Sequence, residues 1–407
     1  MPQSSPLLPP ALTTDPTLPR ARAAVCVLFA LAGLTAGSWV SRAPDIKARN
    51  GLSDSGWGVV ATCATLGTFL SMGLVAFLIA RVGARRLGLV AGPAILLVAP
   101  LMALPTEPKV LAVGLFAFGF AMGSLQAPMN TQAVALERAY VRPIMSSFHA
   151  CFSLGTLAGG LIGYVAARTG VAPATQLTLT GVLLAAALAT TCRWLPADDA
   201  PAERAGDHES RRPWQVVTPQ LALLAAIAFF AILAEGTTAQ WSAIYVSDAL
   251  GAGAAAGALT YACFALAMSS GRLAGDRIVQ RVGRERFLRT APLVAAAGMG
   301  VALAVGTEPA AILGFVVIGL GLSCLVPTIF GTAGNQPDVP ASTGVSTITM
   351  ASWPAFLLGP PLVGALSSMT SLRFALVVVI VAAGIVVLLA QRVRAPEPSQ
   401  PEPAPAG

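Results

Sequence analysis

Long apolar runs separated by short polar segments recur along the whole chain. They predict helices at about 23–41, 56–80, 87–104, 110–135, 146–167, 173–194, 218–243, 254–280, 288–306, 310–331, 343–366 and 372–391. Each run has about 20 residues, the length that an α-helix needs to cross the hydrocarbon layer of a bilayer. The ten-residue alternation typical of membrane β-barrels does not occur in the sequence. The pattern therefore predicts an all-α membrane protein with twelve transmembrane helices.

The chain is also built from two similar halves. RVGARR at 81–86 recurs as RVGRER at 281–286, and Gly119 and Trp39 correspond to Gly319 and Trp241. A duplication in a chain this apolar predicts a membrane transporter made of two pseudo-symmetric repeats. We predict six-helix bundles at 23–195 and 218–393, joined by a central loop at 196–217. The segments 1–22 and 394–407 are predicted to be disordered tails because they are rich in proline and polar residues.

Composition supports a lipid environment and excludes other classes of protein. Hydrophobic residues make up 55% of the chain and charged residues 11%, whereas a soluble domain has about 25% charged residues. The net charge of +7 does not indicate nucleic-acid binding, because the basic residues lie between apolar runs. The six cysteines form no CxxC pair and no cluster with histidine, so no metal site is predicted. Hydrolase, zinc-protease and P-loop motifs are missing from the sequence, and we expect neither an enzyme nor a cofactor.

The basic residues predict an orientation in the membrane. With both termini in the cytoplasm, 19 of the 25 lysines and arginines fall on the cytoplasmic side, Arg272 among them. The outer side then carries Arg42, Lys47, Arg49, Lys109, Arg168 and Arg373. The positive-inside rule therefore predicts cytoplasmic termini, in a bacterial inner membrane.

The arrangement of six plus six helices with a repeated basic loop resembles the major facilitator superfamily. The loop motif of that family is matched in both halves by Arg81, Gly83, Arg85 and Arg86, and by Arg281, Gly283, Arg284 and Arg286. Ala80 and Gln280 stand where the family has an acidic residue, and we expect the neighbouring Asp276 and Arg277 to supply the missing charge in the second half. Stretches such as GSWVSRAPDIKARNGLSDSGWG (37–58) and EGTTAQWSAIYVSD (235–248) look like a bacterial branch described as fucose-permease-like. The resemblance implies a monomeric, gradient-driven carrier that binds a small molecule between its two halves.

Glu235 is the strongest candidate for a functional residue inside a predicted span. An ionised carboxylate in the bilayer costs a few kcal/mol, so its presence requires a reason. Its counterpart in the first repeat is Gly33, so the acid belongs to one half only. Glu235 either binds a proton or a polar solute, or makes a structural hydrogen bond to a neighbouring helix. The first interpretation is preferred.

Other polar residues in the spans are candidates for the proton path and the cavity. His149, near the start of the fifth span, either relays protons or bonds a backbone carbonyl. Gln126 and Asn130 lie four residues apart on one helix face and are predicted to line the inner end of the cavity. Thr238, Trp39 and Trp241 complete the predicted cavity, although tryptophans at such positions also serve as interfacial anchors.

A further candidate pair follows the first span. Arg42 and Asp45 form either an outer gate or, the preferred interpretation, a solvated ion pair in the loop.

The leading functional hypothesis is proton-coupled transport of a small neutral polar solute such as a sugar, with Glu235 as the protonation site. The alternative is a proton-antiporting exporter of amphiphilic compounds. It is less favoured because aromatic residues make up only 6% of the chain. The family's antiporter signature in the fifth span is also incomplete, because its proline is missing. A sensor or scaffold would need a soluble output domain, and the longest predicted loop has only about 20 residues.

Overall fold

The structure, a computed structural model, describes residues 17–104, 107–140, 144–196, 218–334, 336, 339 and 341–393. These residues form helices and no strand. The helices of the first half are α1 (Leu18–Ser41), α2 (Ala43–Arg49), α3 (Asp54–Val82), α4 (Ala84–Leu101), α5 (Pro108–Tyr140), α6 (Met145–Arg168) and α7 (Pro173–Thr191). Those of the second half are α8 (Pro219–Ile244), α9 (Gly253–Val282), α10 (Arg284–Val305), α11 (Glu308–Leu322), α12 (Leu325–Ala333), α13 (Ala341–Met369), α14 (Leu372–Ala375) and α15 (Val377–Ala390).

The predicted all-α membrane fold is confirmed. Within the described residues, 11 helical stretches are long and apolar enough to cross a bilayer. The second predicted span is α3, whose 29 residues extend over about 43 Å at 1.5 Å per residue. α1 begins at Leu18, inside the segment predicted to be a disordered tail. The rest of both predicted tails and nearly all of the central loop lie outside the described residues.

The tenth span is broken into α11 and α12 by a proline. Pro327 has no N–H to donate, and its ring would clash with the carbonyl of Ser323, four residues earlier, in a continuous helix. The chain therefore leaves the helix at Ser323 and Cys324 and resumes at Leu325. The Ser323 carbonyl is left without its intrahelical partner, and another residue uses it, as described below.

Glycines allow the helices of each half to approach closely. Gly33 and Gly37 of α1 face the backbone of α6 at Phe152 and Thr156, where a Cβ atom would overlap a carbonyl oxygen. Gly298 and Gly314 have the same role between α10 and α11. Such contacts hold helices together in lipid, where apolar burial does not distinguish one helix neighbour from another.

The close packing predicts a large difference between two glycine-to-alanine substitutions. A methyl group at Gly119 of α5 would overlap the Ala64 carbonyl of α3, whereas one at Gly300 of α10 would meet nothing within 4 Å. Gly119→Ala is expected to cost about 2 kcal/mol through overpacking. Gly300→Ala should be neutral or slightly stabilising, since alanine favours helix. Thermal unfolding in detergent measures both, and equal midpoints would contradict the described α3–α5 contact.

The two halves contact each other near the short helix α2. Gly58 of α3 lies against the Pro360 carbonyl of α13, and Gly160 of α6 lies against Ala262 of α9. We call the end of the molecule at which α2 lies the α2 face. The opposite end, which carries the turns at Gly83 and Gly283, is called the glycine-turn face.

α2 was not predicted from the sequence. It has seven residues, APDIKAR, with Pro44 and Asp45 in its first turn, which are favourable positions for both residue types. A helix this short and polar carries no hydrophobic periodicity that would reveal it.

Candidate functional site

A cavity of about 410 Å³ lies between the two halves. α1, α3 and α5 line it from the first half, and α8 and α13 line it from the second. Its described lining includes four aromatic rings and two amides, and no charged side chain. These residues are Trp39, Phe118, Gln126, Gln240, Trp353 and Phe356.

The aromatic rings form one pair in each half. The ring centroids of Trp39 and Phe118 are 6.2 Å apart, and those of Trp353 and Phe356 are 6.0 Å apart. Each half also contributes one glutamine, whose amide both donates and accepts hydrogen bonds. The cavity is therefore suited to a ring-sized solute with polar groups at its edge.

Only some of the residues that were predicted to line the cavity do so. Trp39 and Gln126 line it. Asn130 is half-buried and does not belong to the described lining of the cavity. Its Nδ2 donates to the Gln126 carbonyl at 2.8 Å. Thr238 and Trp241 are fully buried within the second half.

The placement of Thr238 and Trp241 corrects the sequence prediction. Around Glu235, the less buried positions of α8 are Glu235, Ala239 and Gln240. Thr238 is buried, and its Oγ1 donates to the Ala234 carbonyl at 2.8 Å. The residue of α8 that lines the cavity is Gln240, which was not predicted from the sequence.

Glu235 forms an ion pair with a residue of the next helix. Its Oε1 accepts a hydrogen bond from Arg272 Nη2 of α9 at 2.9 Å, and the two side chains are 22% and 38% exposed. The sequence analysis counted Arg272 with the basic residues of the cytoplasmic side, but it lies within α9, ten residues before the helix ends. This contact fits both interpretations of Glu235, a titrating acid and a structural link between helices.

Arg272 is held in place by the break between α11 and α12. Its Nε donates to the free Ser323 carbonyl at 3.3 Å. Cys324, which lies at the same break, forms a hydrogen bond to α9, because its Sγ donates to the Gly271 carbonyl at 3.2 Å. Carbonyls at the C-terminal end of a helix carry partial negative charge, so the end of α11 favours a cation at this position.

His149 approaches this pair from the other half. It is exposed on α6, and its ring makes an edge contact with Phe29 of α1, with the centroids 5.4 Å apart. The charge of Arg272 acts on it across the boundary between the halves. Because α6 packs against α9, His149 lies on a helix adjacent to that of Arg272, in the other half.

A second charged cluster joins the halves at the α2 face. Lys47 Nζ contacts Asp54 Oδ1 of the same half at 2.7 Å and Asp248 Oδ2 of the other half at 2.6 Å. Asp54 Oδ2 also accepts a hydrogen bond from Ser367 Oγ of α13. Burial by itself would lower the pKa of Lys47, but the hydrogen bonds to Asp248 and Asp54 outweigh it and raise that pKa above its ordinary value.

The Arg42–Asp45 pair is buried, which corrects the expectation of a solvated loop pair. Arg42 Nε lies 2.8 Å from Asp45 Oδ2, and the arginine side chain is only 3% exposed. Arg42 Nη2 also donates to the Val171 carbonyl at 2.8 Å, so the pair fixes α2 to the rest of the first half. Burial lowers the pKa of Arg42 and raises the pKa of Asp45, and their mutual attraction opposes both shifts.

The repeated loop motif forms equivalent tight turns in the two halves. Gly83 joins α3 to α4 with φ +87°, and Gly283 joins α9 to α10 with φ +86°. This backbone region favours glycine, which explains the residue at both positions. Arg81 stacks on the Phe77 ring at 4.1 Å, and Arg85 Nη2 donates to the Arg193 carbonyl at 3.4 Å. The other motif residues that the structure describes are Arg86, Arg277, Arg281, Arg284 and Arg286. The side chain of Asp276 lies outside the described ones, so its expected compensating role stays a prediction.

Comparisons with known proteins agree with this architecture. The Major Facilitator Superfamily profile matches residues 23–356. An uncharacterized MFS-type transporter of Yersinia pestis is 35% identical over 349 residues, which cover 85% of this chain and 89% of that protein. The membrane protein MosC of Rhizobium meliloti is 30% identical over 376 residues, covering 90% and 88% of the two chains.

Solved structures show the same fold at low sequence identity. A point mutant of the nucleoside transporter NupG has a TM-score of 0.74 at 13% identity, with 92% of this chain and 98% of that chain covered. A bacterial homologue of the human lysosomal transporter Spinster, in an inward-facing and unoccupied conformation, has a TM-score of 0.74 at 16% identity, with 93% and 97% covered.

Proposed function

The chain belongs to the Major Facilitator Superfamily and is a multi-pass membrane transporter, and we propose that it couples the movement of a small polar solute to that of protons. The solute binds in the cavity between the halves, and the halves rock about it to open alternately to each side. The further assignment to a fucose-permease-like branch stays a prediction.

The observation that carries the proton coupling is the Glu235–Arg272 ion pair between α8 and α9. Gly236, the residue after Glu235, lies against the cavity residue Phe356. An acid at this depth costs free energy unless it is paired, so a change of its partner or of its protonation affects the whole carrier. His149, on the helix that packs against α9, is the second group that we assign to the proton path.

The arrangement of the contacts supports an inward-facing state. If both termini are cytoplasmic, as the basic residues predict, the α2 face is the outer face of the inner membrane. The Lys47 cluster then closes the outer side, and the solute leaves through the glycine-turn face. The solved Spinster homologue with the same fold is described as inward-facing, which agrees with this assignment.

Proton flux in proteoliposomes tests the proposal. A pH-sensitive dye reports the external pH while a panel of sugars, sugar acids and amphiphilic cations is added to the purified protein in lipid. Solute-dependent alkalinisation outside indicates symport, since protons enter with the solute. If no solute of the panel causes protons to move, proton coupling is contradicted. Protein-free liposomes provide the control.

The four aromatic rings of the cavity favour a second candidate, a proton-antiporting exporter of amphiphilic compounds. Aromatic residues are scarce in the chain but concentrated in the cavity, and such rings bind flat apolar solutes and cations. Proton efflux that only amphiphilic cations trigger would establish this function instead of symport.

A further inference from the structure

We propose that the transported solute is a small organic anion whose acidic group binds Arg272 in place of Glu235, while Glu235 carries one proton. This inference rests on the proposed proton-coupled transport and assigns its substrate class. It replaces the neutral sugar of the sequence hypothesis with a ring-sized organic acid.

The net charge of the pair in each state of the carrier leads to this substrate class. In the empty carrier Glu235 and Arg272 neutralise each other at 2.9 Å. A proton on Glu235 alone leaves Arg272 with an uncompensated positive charge, and an anion alone leaves one negative charge too many. Only a proton and an anion together restore neutrality.

Neutrality matters because the site closes during transport. An unpaired charge enclosed away from water costs several kcal/mol, whereas a paired one does not. The empty and the fully loaded carriers can therefore close on both sides, and the two half-loaded carriers are disfavoured. With a neutral solute, by contrast, the loaded carrier would enclose the charge of Arg272, so the pair would hinder transport.

The geometry of Arg272 supports exchange of its partner. The Ser323 carbonyl holds Nε, so the guanidinium stays in position when Glu235 leaves. Glu235 contacts only Nη2, and Nη1 has no hydrogen-bond partner within the described part of the chain. An incoming carboxylate can bind a guanidinium through two parallel hydrogen bonds, which are stronger than the single contact that it replaces.

The cavity accommodates the remainder of the solute. Gly236, the residue after Glu235 on α8, lies against the cavity ring of Phe356, so a solute whose anionic group binds Arg272 extends toward the cavity. The cavity contributes aromatic rings and glutamine amides, which suit an uncharged ring with polar edges.

Matched pairs of labelled solutes test the charge requirement in proteoliposomes of the full-length protein. The pairs are D-glucuronate with D-glucose, and quinate with myo-inositol, which differ chiefly in the carboxylate. We expect uptake of at least one acid, driven by an acidic exterior, to exceed that of its neutral partner at least tenfold. Clamping the membrane potential with potassium and valinomycin should leave this uptake unchanged, because one proton and one anion move together.

A variant pair separates recognition by Arg272 from general damage. Arg272→Gln should abolish uptake of the acid, while Arg289→Gln should retain it. Arg289 is a close match, because its Nε donates to the Ala390 carbonyl at 3.2 Å and its Nη2 lies 3.6 Å from Glu285, away from the cavity. Gel filtration of both variants in detergent establishes that they are folded.

The outcomes distinguish this inference from the proposed function. Proton-driven uptake of a neutral solute that carries current would overturn the anion while leaving proton coupling intact. Acid uptake that persists in a folded Arg272→Gln variant would overturn the role of Arg272, and uptake of none of the four probes would overturn the assigned solute class. Solute uptake whose rate and extent do not depend on the pH gradient would overturn the proposed function itself.

Discussion

Glu235→Gln is expected to abolish accumulation of solute against a gradient while leaving solute exchange across the membrane. Glutamine keeps the shape of the side chain and a hydrogen bond to Arg272 but cannot gain or lose a proton. An acidic exterior then no longer drives accumulation, and net uptake is lost because the empty variant leaves the charge of Arg272 uncompensated. Exchange of labelled for unlabelled solute needs no net proton movement and should persist.

A second glutamate provides a matched control for this substitution. Glu285 also pairs with an arginine of the same half, at 3.6 Å from Arg289, but both lie at the start of α10 near the glycine-turn face. Glu285→Gln should therefore accumulate solute normally. If Glu235→Gln also accumulated solute, Glu235 would be a structural link between α8 and α9, and proton coupling would belong to another group, with His149 the next candidate.

Two kinds of feature could be predicted from the sequence: apolar runs that repeat along the chain, and polar residues whose burial in lipid costs free energy. Twelve apolar runs predicted the spans, because a bilayer requires about 20 apolar residues for each crossing. Pro327 is a signal in the sequence for the break in the tenth span, because proline cannot donate the intrahelical hydrogen bond. Glu235 was recognisable because a single carboxylate in an apolar helix is costly whatever surrounds it.

Partners of the charged residues could not be predicted in the same way. Arg272 lies among the basic residues near one end of α9, and charge counting assigned it to the cytoplasmic side. Its role depends on a carbonyl that Pro327 frees 51 residues later in the chain. Lys47 and Asp248 are 201 residues apart, and no local pattern connects them. Trp39 and Trp241 match in the repeat, yet one lines the cavity and the other is buried, because the halves are symmetric in backbone and not in side-chain packing.

Lys47→Met is expected to open the α2 face. Lys47 is the cation between Asp54 and Asp248, so its loss leaves two carboxylates facing each other across the boundary between the halves. Breaking a buried pair by removing one partner costs about 3–5 kcal/mol, and the partial exposure of both aspartates reduces this to about 2 kcal/mol. Since 1.4 kcal/mol corresponds to a factor of ten, the equilibrium should shift roughly 30-fold toward the state open at the α2 face.

Chemical labelling measures the shift. A cysteine at Val40, which lines the cavity below α2, is introduced into a variant that lacks the six native cysteines. A membrane-impermeant maleimide applied at the α2 face should label it much faster in Lys47→Met than in the parent. Arg49→Met is the control, because Arg49 is exposed on the same short helix and its loss should not change the rate. Equal labelling of the two variants would contradict a closing role for Lys47.

Substitution of each aspartate in turn distinguishes the Lys47–Asp248 contact between the halves from the Lys47–Asp54 contact within the first half. Asp248→Asn removes the contact to the second half but leaves Lys47 paired with Asp54, so labelling at position 40 should accelerate with little loss of stability. Asp54→Asn removes the ion pair with Lys47 and weakens the bond from Ser367, but it leaves the Lys47–Asp248 contact between the halves, so its effect on labelling should be smaller. The opposite ranking would mean that Asp54 and Ser367, rather than Lys47 and Asp248, hold the α2 face closed.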